Sequence, residues 1–189
     1  MLSLAESIAA IDRDAFEHLL AAMRLGSHEP GSLVISAGQR DPGEYFVLSG
    51  IVKTFVGDAD GREVTLAFHV GPCALTPSIA RVADECSRVS CVAMTQTRVA
   101  GFPASTLVEC MLRNPSIQRW GDTVLRADLV RRADREWALA ALPTVERLLR
   151  FRRDHPGLED LIAHHHIASY LGITPVTLSR ARAQLRERA

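Results

Sequence analysis

The sequence is short of the features that would reveal its chemistry at once. Aromatic residues make up only 5% of 189 positions, and net charge is zero, with 22 basic residues against 22 acidic. A chain with no positive excess is not coated for nucleic acid or membrane, so any such role falls to a local patch. The four cysteines, Cys73, Cys86, Cys91 and Cys110, contain no CxxC pair, and no basic segment leading into an apolar run stands at the N-terminus. A reduced cytoplasmic protein is the simplest reading. No apolar stretch approaches the roughly 20 residues that span a bilayer, so no membrane partner is expected.

What the chain does have is a change of texture along its length. The length suits one or two domains, and the differing ends favour two. Near the N-terminus, Asp12 is a candidate cap, Phe16, Leu19, Leu20 and Met23 recur at helical spacing, and Gly26 is a candidate stop. From Glu29 to Pro72, short β-prone runs (SLVIS, YFVLSG, VKTFV, VTLAF) alternate with Pro-Gly, Asp-Pro-Gly, Ser-Gly and Asp-Ala-Asp-Gly turn signals. Closely spaced short strands predict a sandwich or barrel, and RVSCVAMTQTRVAGFP adds one or two more. Ala104 to Leu112 turns helical. Asn114-Pro115 then supplies a cap and a first-turn proline for a helix of about 20 residues. Its stripe of Ile117, Trp120, Val124, Leu125, Leu129, Ala133 and Trp137 calls either for the same helix of a second subunit or for the chain's own barrel. The dimer is the preferred reading.

The C-terminal stretch IASYLGITPVTLSRARAQL carries the strongest signal. Ile167, Ala168 and Leu171 line one face of a short helix, Gly172 breaks it, Thr174 caps the next helix, and Pro175 takes its first position. Leu178, Ala181 and Leu185 form the inner face of that second helix, and Ala168 is small where the helices must cross. The pattern is that of a helix-turn-helix whose second helix enters the DNA major groove. Residues 175–189 hold Arg180, Arg182, Arg186 and Arg188 against Glu187, a local charge of +3. Val176, Thr177 and Arg180 face outward near its N-terminal end. Arginine forks onto guanine O6 and N7, and a valine methyl touches thymine.

These residues resemble the Crp/Fnr superfamily of bacterial transcription regulators. EYFVLSGIVKTFVGDADGREVTLAFHVGP is similar to the central strands of its cyclic-nucleotide-binding jelly roll, and IASYLGITPVTLSR to its helix-turn-helix; the likeness runs from about Ala9 to Leu185. The resemblance implies an α+β chain: a jelly-roll sensor over 1–113, a dimerisation helix over 114–138 carrying Ile117, Trp120, Val124 and Leu125, and a DNA-binding domain over 139–189. It implies a homodimer reading a palindromic site of double-stranded DNA, with RNA polymerase as a further partner and no enzymatic activity. Pro175, Val176 and Arg180 match base-reading positions, with Val176 replacing the usual acidic reader. Thr174 and Thr177 match backbone contacts, His164 and His165 the phosphate-facing start of the first helix, and Gln184 joins the DNA-facing set. Many relatives continue into a β-hairpin wing; with four residues after Leu185, a reduced or absent wing is expected.

Cyclic-AMP-binding members hold the ribose with a Gly-Glu pair and the phosphate with an Arg-Ser pair. Here the corresponding pocket candidates are Thr76-Pro77 and, in reversed order, Ser87-Arg88, so the ribose carboxylate is missing. Proline also removes a backbone donor. Arg88 can attract an anion or stand as a solvated surface residue. The expectation is therefore no response to cyclic AMP, no cofactor and an open effector identity. An iron-sulfur cluster lacks its cysteines, and His69, Cys73 or Met94 as haem ligands have no local signature. Zinc at His164-His165-His166 fails on geometry, because adjacent helical residues diverge by roughly 100°. The alternatives are a cupin-like metal-dependent enzyme, which needs a His-x-His pair absent from the barrel region, and a nucleotide-binding module without a DNA role.

Overall fold

The computed structural model describes residues 5–6, 10–40, 43–57, 61–75 and 86–187. Helix α1 (Arg13–Ala22) buries Phe16 and Leu19 completely. It ends at Ala22, so Gly26 is not its stop. Gly26 lies inside strand β1 (Arg24–His28) opposite Val99, where a Cβ would come within 3.3 Å of the Val99 side chain. Close strand packing is what uses the glycine there.

Seven further strands follow: β2 (Leu33–Ile35), β3 (Gly43–Ser49), β4 (Ile51–Gly57), β5 (Glu63–Val70), β6 (Cys73–Leu75), β7 (Ser90–Ala93) and β8 (Thr97–Pro103). They form two antiparallel four-stranded sheets, ordered β1-β8-β3-β6 and β2-β7-β4-β5, the jelly-roll expectation realised. Ile35, Val47, Val52, Leu75 and Cys91 make the inter-sheet core. The Ser49-Gly50 turn is a corner at which the chain leaves one sheet for the other. Gly50 has φ +91°, and a Cβ would fall 2.5 Å from the Gln96 carbonyl, so only glycine fits.

Helix α2 (Ala104–Arg113) leads to the long helix α3 (Pro115–Ala141), which Asn114 caps by accepting from the Ser116 amide at 2.8 Å, with Pro115 in the first turn. The expected stripe on α3 divides in two. Ile117 and Trp120 are buried in their own chain among Phe16, Phe46 and Phe102, and the Trp120 indole donates to the Ala5 carbonyl at 3.1 Å. They have no surface left for a partner, because the first sheet's outer face is apolar and claims them. Val124 packs partly on the same cluster and Leu125 is half-buried. Only beyond them does the helix turn large apolar side chains to solvent, with Leu129, Val130 and Trp137 each more than half exposed. Among the described residues no helix is long and apolar enough to cross a membrane.

Helices α4 (Thr144–Asp154), α5 (Leu158–Leu161), α6 (His164–Tyr170) and α7 (Pro175–Glu187) complete the chain as described. Their core of Leu148, Phe151, Leu158, Ile167, Ala168 and Leu178 is continuous with Ile51 and Phe68 of the barrel. Phe68, 2% exposed, sits 6.1 Å from the Phe151 ring and 5.4 Å from Tyr170. Burying a side chain of this size stabilises by about 1.5–3 kcal/mol. The C-terminal helices are thus seated on the barrel's second sheet.

Candidate nucleic-acid interface and barrel cavity

Helices α6 and α7 meet through a turn whose backbone is fully engaged. The Gly172 amide donates to the Ser169 carbonyl at 3.1 Å and the Ile173 amide to Ala168 at 3.0 Å. Gly172 has φ +65°, the left-handed conformation that a helix end needs. Thr174 Oγ1 accepts from the Thr177 amide at 3.1 Å, the capping bond foreseen from the Thr-Pro pair. Ala168 is 1% exposed at the crossing, and Leu178 and Ala181 turn inward. The opposite face of α7 therefore points to solvent: Pro175, Val176, Arg180 and Gln184 are exposed and Thr177 is half-buried. Thr174, His164 and His165 are exposed beside them.

Charge on this face is lower than residue counting suggests. Arg182 is held by Glu159 Oε1 at 2.8 Å, and the same carboxylate also binds Arg152. Burial would raise the Glu159 pKa, but hydrogen bonds from Arg152 and Arg182 hold it below the ordinary carboxylate value. Arg182 is therefore a strut between α5 and α7. Arg188 lies outside the described residues. Arg180 and Arg186 remain exposed and make no ion pair among the described residues. His166 turns the other way, against Lys53, the chain's only lysine, which is 2% exposed. The ammonium donates to Glu63 Oε2 at 2.5 Å and to His166 Nδ1 at 3.2 Å. Burial first, then Lys53 and His165, push the His166 pKa down to about 4 against an opposing pull from Glu63.

A cavity of about 350 Å³ opens where β5, α3 and the C-terminal helices converge. The barrel contributes Thr54, His69 and Cys91, α3 contributes Arg131 and Arg135, and Tyr170 closes the wall from α6. His69 Nε2 shares a 3.0 Å hydrogen bond with Thr54 Oγ1, while its Nδ1 is buried without a partner. Arg131 and Arg132 both bind Asp128, Arg132 at 2.6 Å. Burial would raise the pKa of Asp128, but the two guanidinium groups hold it below the ordinary value.

The sequence-derived pocket residues fall elsewhere. Ser87 is 1% exposed and spends its hydroxyl on its own turn, donating to the Val89 carbonyl at 2.7 Å. Arg88 is exposed and is not among the cavity walls. Thr76 and Pro77 lie outside the described residues. Sequence reasoning missed Arg131, Arg135 and Tyr170 because three elements distant in the chain bring them together. The local signal was only a run of arginines on one helix.

Residues 26–114 match the model of the cyclic nucleotide-binding domain. No curated protein sequence matches the chain significantly. Among solved structures, FixK2 from Bradyrhizobium japonicum superimposes with a TM-score of 0.76 at 21% identity, covering 88% of this chain and 85% of that one. The c-di-GMP responsive global regulator CLP of Xanthomonas campestris gives 0.72 at 18%, covering 94% and 93%. The catabolite activator protein of Thermus thermophilus gives 0.56 at 24%, covering 95% and 85%. At these identities the likeness is one of fold: a cyclic nucleotide-binding barrel, a long helix and C-terminal helices.

Proposed function

We propose that this chain, built on the Crp/Fnr architecture, is a DNA-binding transcription regulator that reads a palindromic site as a homodimer. The observation that carries the reading is the outer face of α7: Val176 and Arg180 stand exposed, beside the half-buried Thr177, on a helix whose inner face is locked by Leu178 and Ala181. Arg180 reads guanine, Val176 reads a thymine methyl, and Thr174, Thr177, His164, His165 and Gln184 contact backbone or neighbouring bases. In the dimer two such helices enter successive major grooves about 34 Å apart. Leu129, Val130 and Trp137 of α3, exposed in the single chain, meet their counterparts in the second copy. The protein acts in the bacterial cytoplasm with RNA polymerase as a further partner and has no catalytic role.

The cavity beside α3 is the effector seat, and its occupant is not cyclic AMP. Ser87 is committed to its own turn and Arg88 faces solvent, so neither is placed to take a cyclic phosphate in the cavity. Calorimetry giving micromolar cyclic AMP binding would defeat this part. The reader role is tested by selecting genomic fragments on the purified protein and repeating the binding with Arg180→Ala. Loss of about 1–3 kcal/mol confined to one base pair of each half-site supports base reading. Uniform weakening on all sequences makes Arg180 a phosphate contact, and no specific retention at all removes the proposal.

A further inference from the structure

Strand β5 is the edge of its sheet, yet the backbone groups of Glu63 and Thr65 on that edge are taken by another element. The Ser169 hydroxyl of α6 accepts from the Thr65 amide at 2.9 Å and donates to the Glu63 carbonyl at 3.1 Å, doing the work of a neighbouring strand. Arg135 of α3 completes the arrangement. Its Nη2 donates to the Thr65 carbonyl and to the Tyr170 carbonyl, both at 3.0 Å, and its guanidinium lies 4.9 Å from the Tyr170 ring centre. One side chain therefore ties together the sheet edge, the long helix and the end of the first helix of the helix-turn-helix.

Arg135 also lines the cavity, and it is the wall cation without a carboxylate. Arg131 and Arg132 have Asp128; Arg135 makes no ion pair among the described residues, and its buried Nε has no hydrogen-bond partner. Burial lowers its pKa, with Tyr170 acting in the opposite direction. A half-buried guanidinium held only by neutral carbonyls lacks a counter-charge, and the group that supplies one is an anion. His69 lines the same cavity, and its buried Nδ1 has no hydrogen-bond partner. Leu66, Phe68, Val89 and Leu139 give the wall its apolar part, Glu136 is the one carboxylate among the lining residues, outnumbered there by Arg131, Arg132 and Arg135, and 350 Å³ is at the small end for ligand cavities.

Resting on the sensor reading above, we propose that the cavity receives a small carboxylate with an apolar body, and that Arg135 is the latch by which its arrival frees the helix-turn-helix from the barrel. A carboxylate matches the guanidinium fork with two charge-assisted bonds, where the present carbonyls offer two neutral acceptors. Binding draws Arg135 from Thr65 and Tyr170, and the state in which α6 has left the β5 edge gains population. Ser169 then makes the remaining hydrogen bonds between α6 and the strand edge, beside the packing of Tyr170 on Phe68.

Amide hydrogen exchange on the full chain at constant ionic strength tests this, with benzoate as the probe and benzyl alcohol as the uncharged control. Benzoate is expected to speed exchange of the Thr65 amide and of α6 by about tenfold, and benzyl alcohol to leave both unchanged. Arg135→Met is expected to speed the same amides by a similar factor without ligand and to abolish the benzoate response. Ser169→Ala is expected to speed Thr65 exchange while keeping that response. Exchange unmoved by benzoate, a benzoate response that survives in R135M, or one that benzyl alcohol reproduces overturns the proposal. Should R135M fail to fold, an S169A protein with unchanged Thr65 exchange overturns the latch by itself. A gel shift on genomic fragments reads the DNA role separately: the expected exchange response with no specific retention sinks the reader and leaves the latch standing.

Discussion

Acidification will destabilise this protein through one buried imidazole. His69 is 5% exposed, bonds Thr54 through Nε2 and has no partner at Nδ1. Burial, followed by the charge of Arg131, drives its pKa from 6.5 down to about 3; Asp128 pulls upward, and Arg132 and His155 add to the depression. In the folded chain the ring stays neutral well into the acid range, while in the unfolded chain it takes a proton once the pH falls below 6.5. The unfolded state thus binds more protons between those values, so stability rises with pH across that window and is lost as the pH drops through it. Linkage between these two pKa values makes the loss from pH 7 to pH 5 about 2 kcal/mol. Urea unfolding of the wild type and of His69→Gln at both pH values checks it. Glutamine keeps a hydrogen-bonding group for Thr54 but does not titrate, and contributions from the other histidines cancel in the comparison. The variant's stability should fall by about 2 kcal/mol less than the wild type's over this interval. An identical pH dependence in the two proteins refutes the reasoning.

Other consequences are as direct. Phe68→Ala removes the ring that joins barrel and C-terminal helices and should cost about 3–5 kcal/mol in urea unfolding, with the Phe151 and Tyr170 environment changing in near-ultraviolet circular dichroism. A Cβ at Gly172 would meet Leu139 at 3.1 Å on a left-handed backbone, so Gly172→Ala should lower stability by about 1–2 kcal/mol by thermal melt. Glu159→Gln releases Arg152 and Arg182, so non-specific DNA binding should strengthen and the slope of log affinity against log salt steepen by about 1 to 2. An unchanged slope would mean that neither freed arginine reaches phosphate.

Much of the candidate reader was legible in the chain because its determinants are local. The Gly172 turn, the Thr174 cap, Pro175 in the first turn and the inward Leu178 and Ala181 are each set by residues a few positions apart, and all stand where the spacing placed them. The strand runs and turn signals likewise led to a sandwich or barrel, and the family resemblance to a jelly roll. Readings that needed distant neighbours fared worse. Ile117 and Trp120 have the helical spacing of a dimer seam, but spacing does not say which apolar surface arrives first, and the chain's own first sheet takes them. Arg182 counted as a phosphate contact until Glu159, 23 positions away, was beside it.

The sequence alone determined the elements, the two-sheet barrel and the outward face of the last helix, since hydrophobic period, capping and turn chemistry act over a few residues. Tertiary structure decided which charges are free, which apolar stripe is already occupied, and how Arg135, Thr65, Ser169 and Tyr170 come to share one knot of hydrogen bonds. Such groups are set by distances across folded space, and sequence separation carries no information about them.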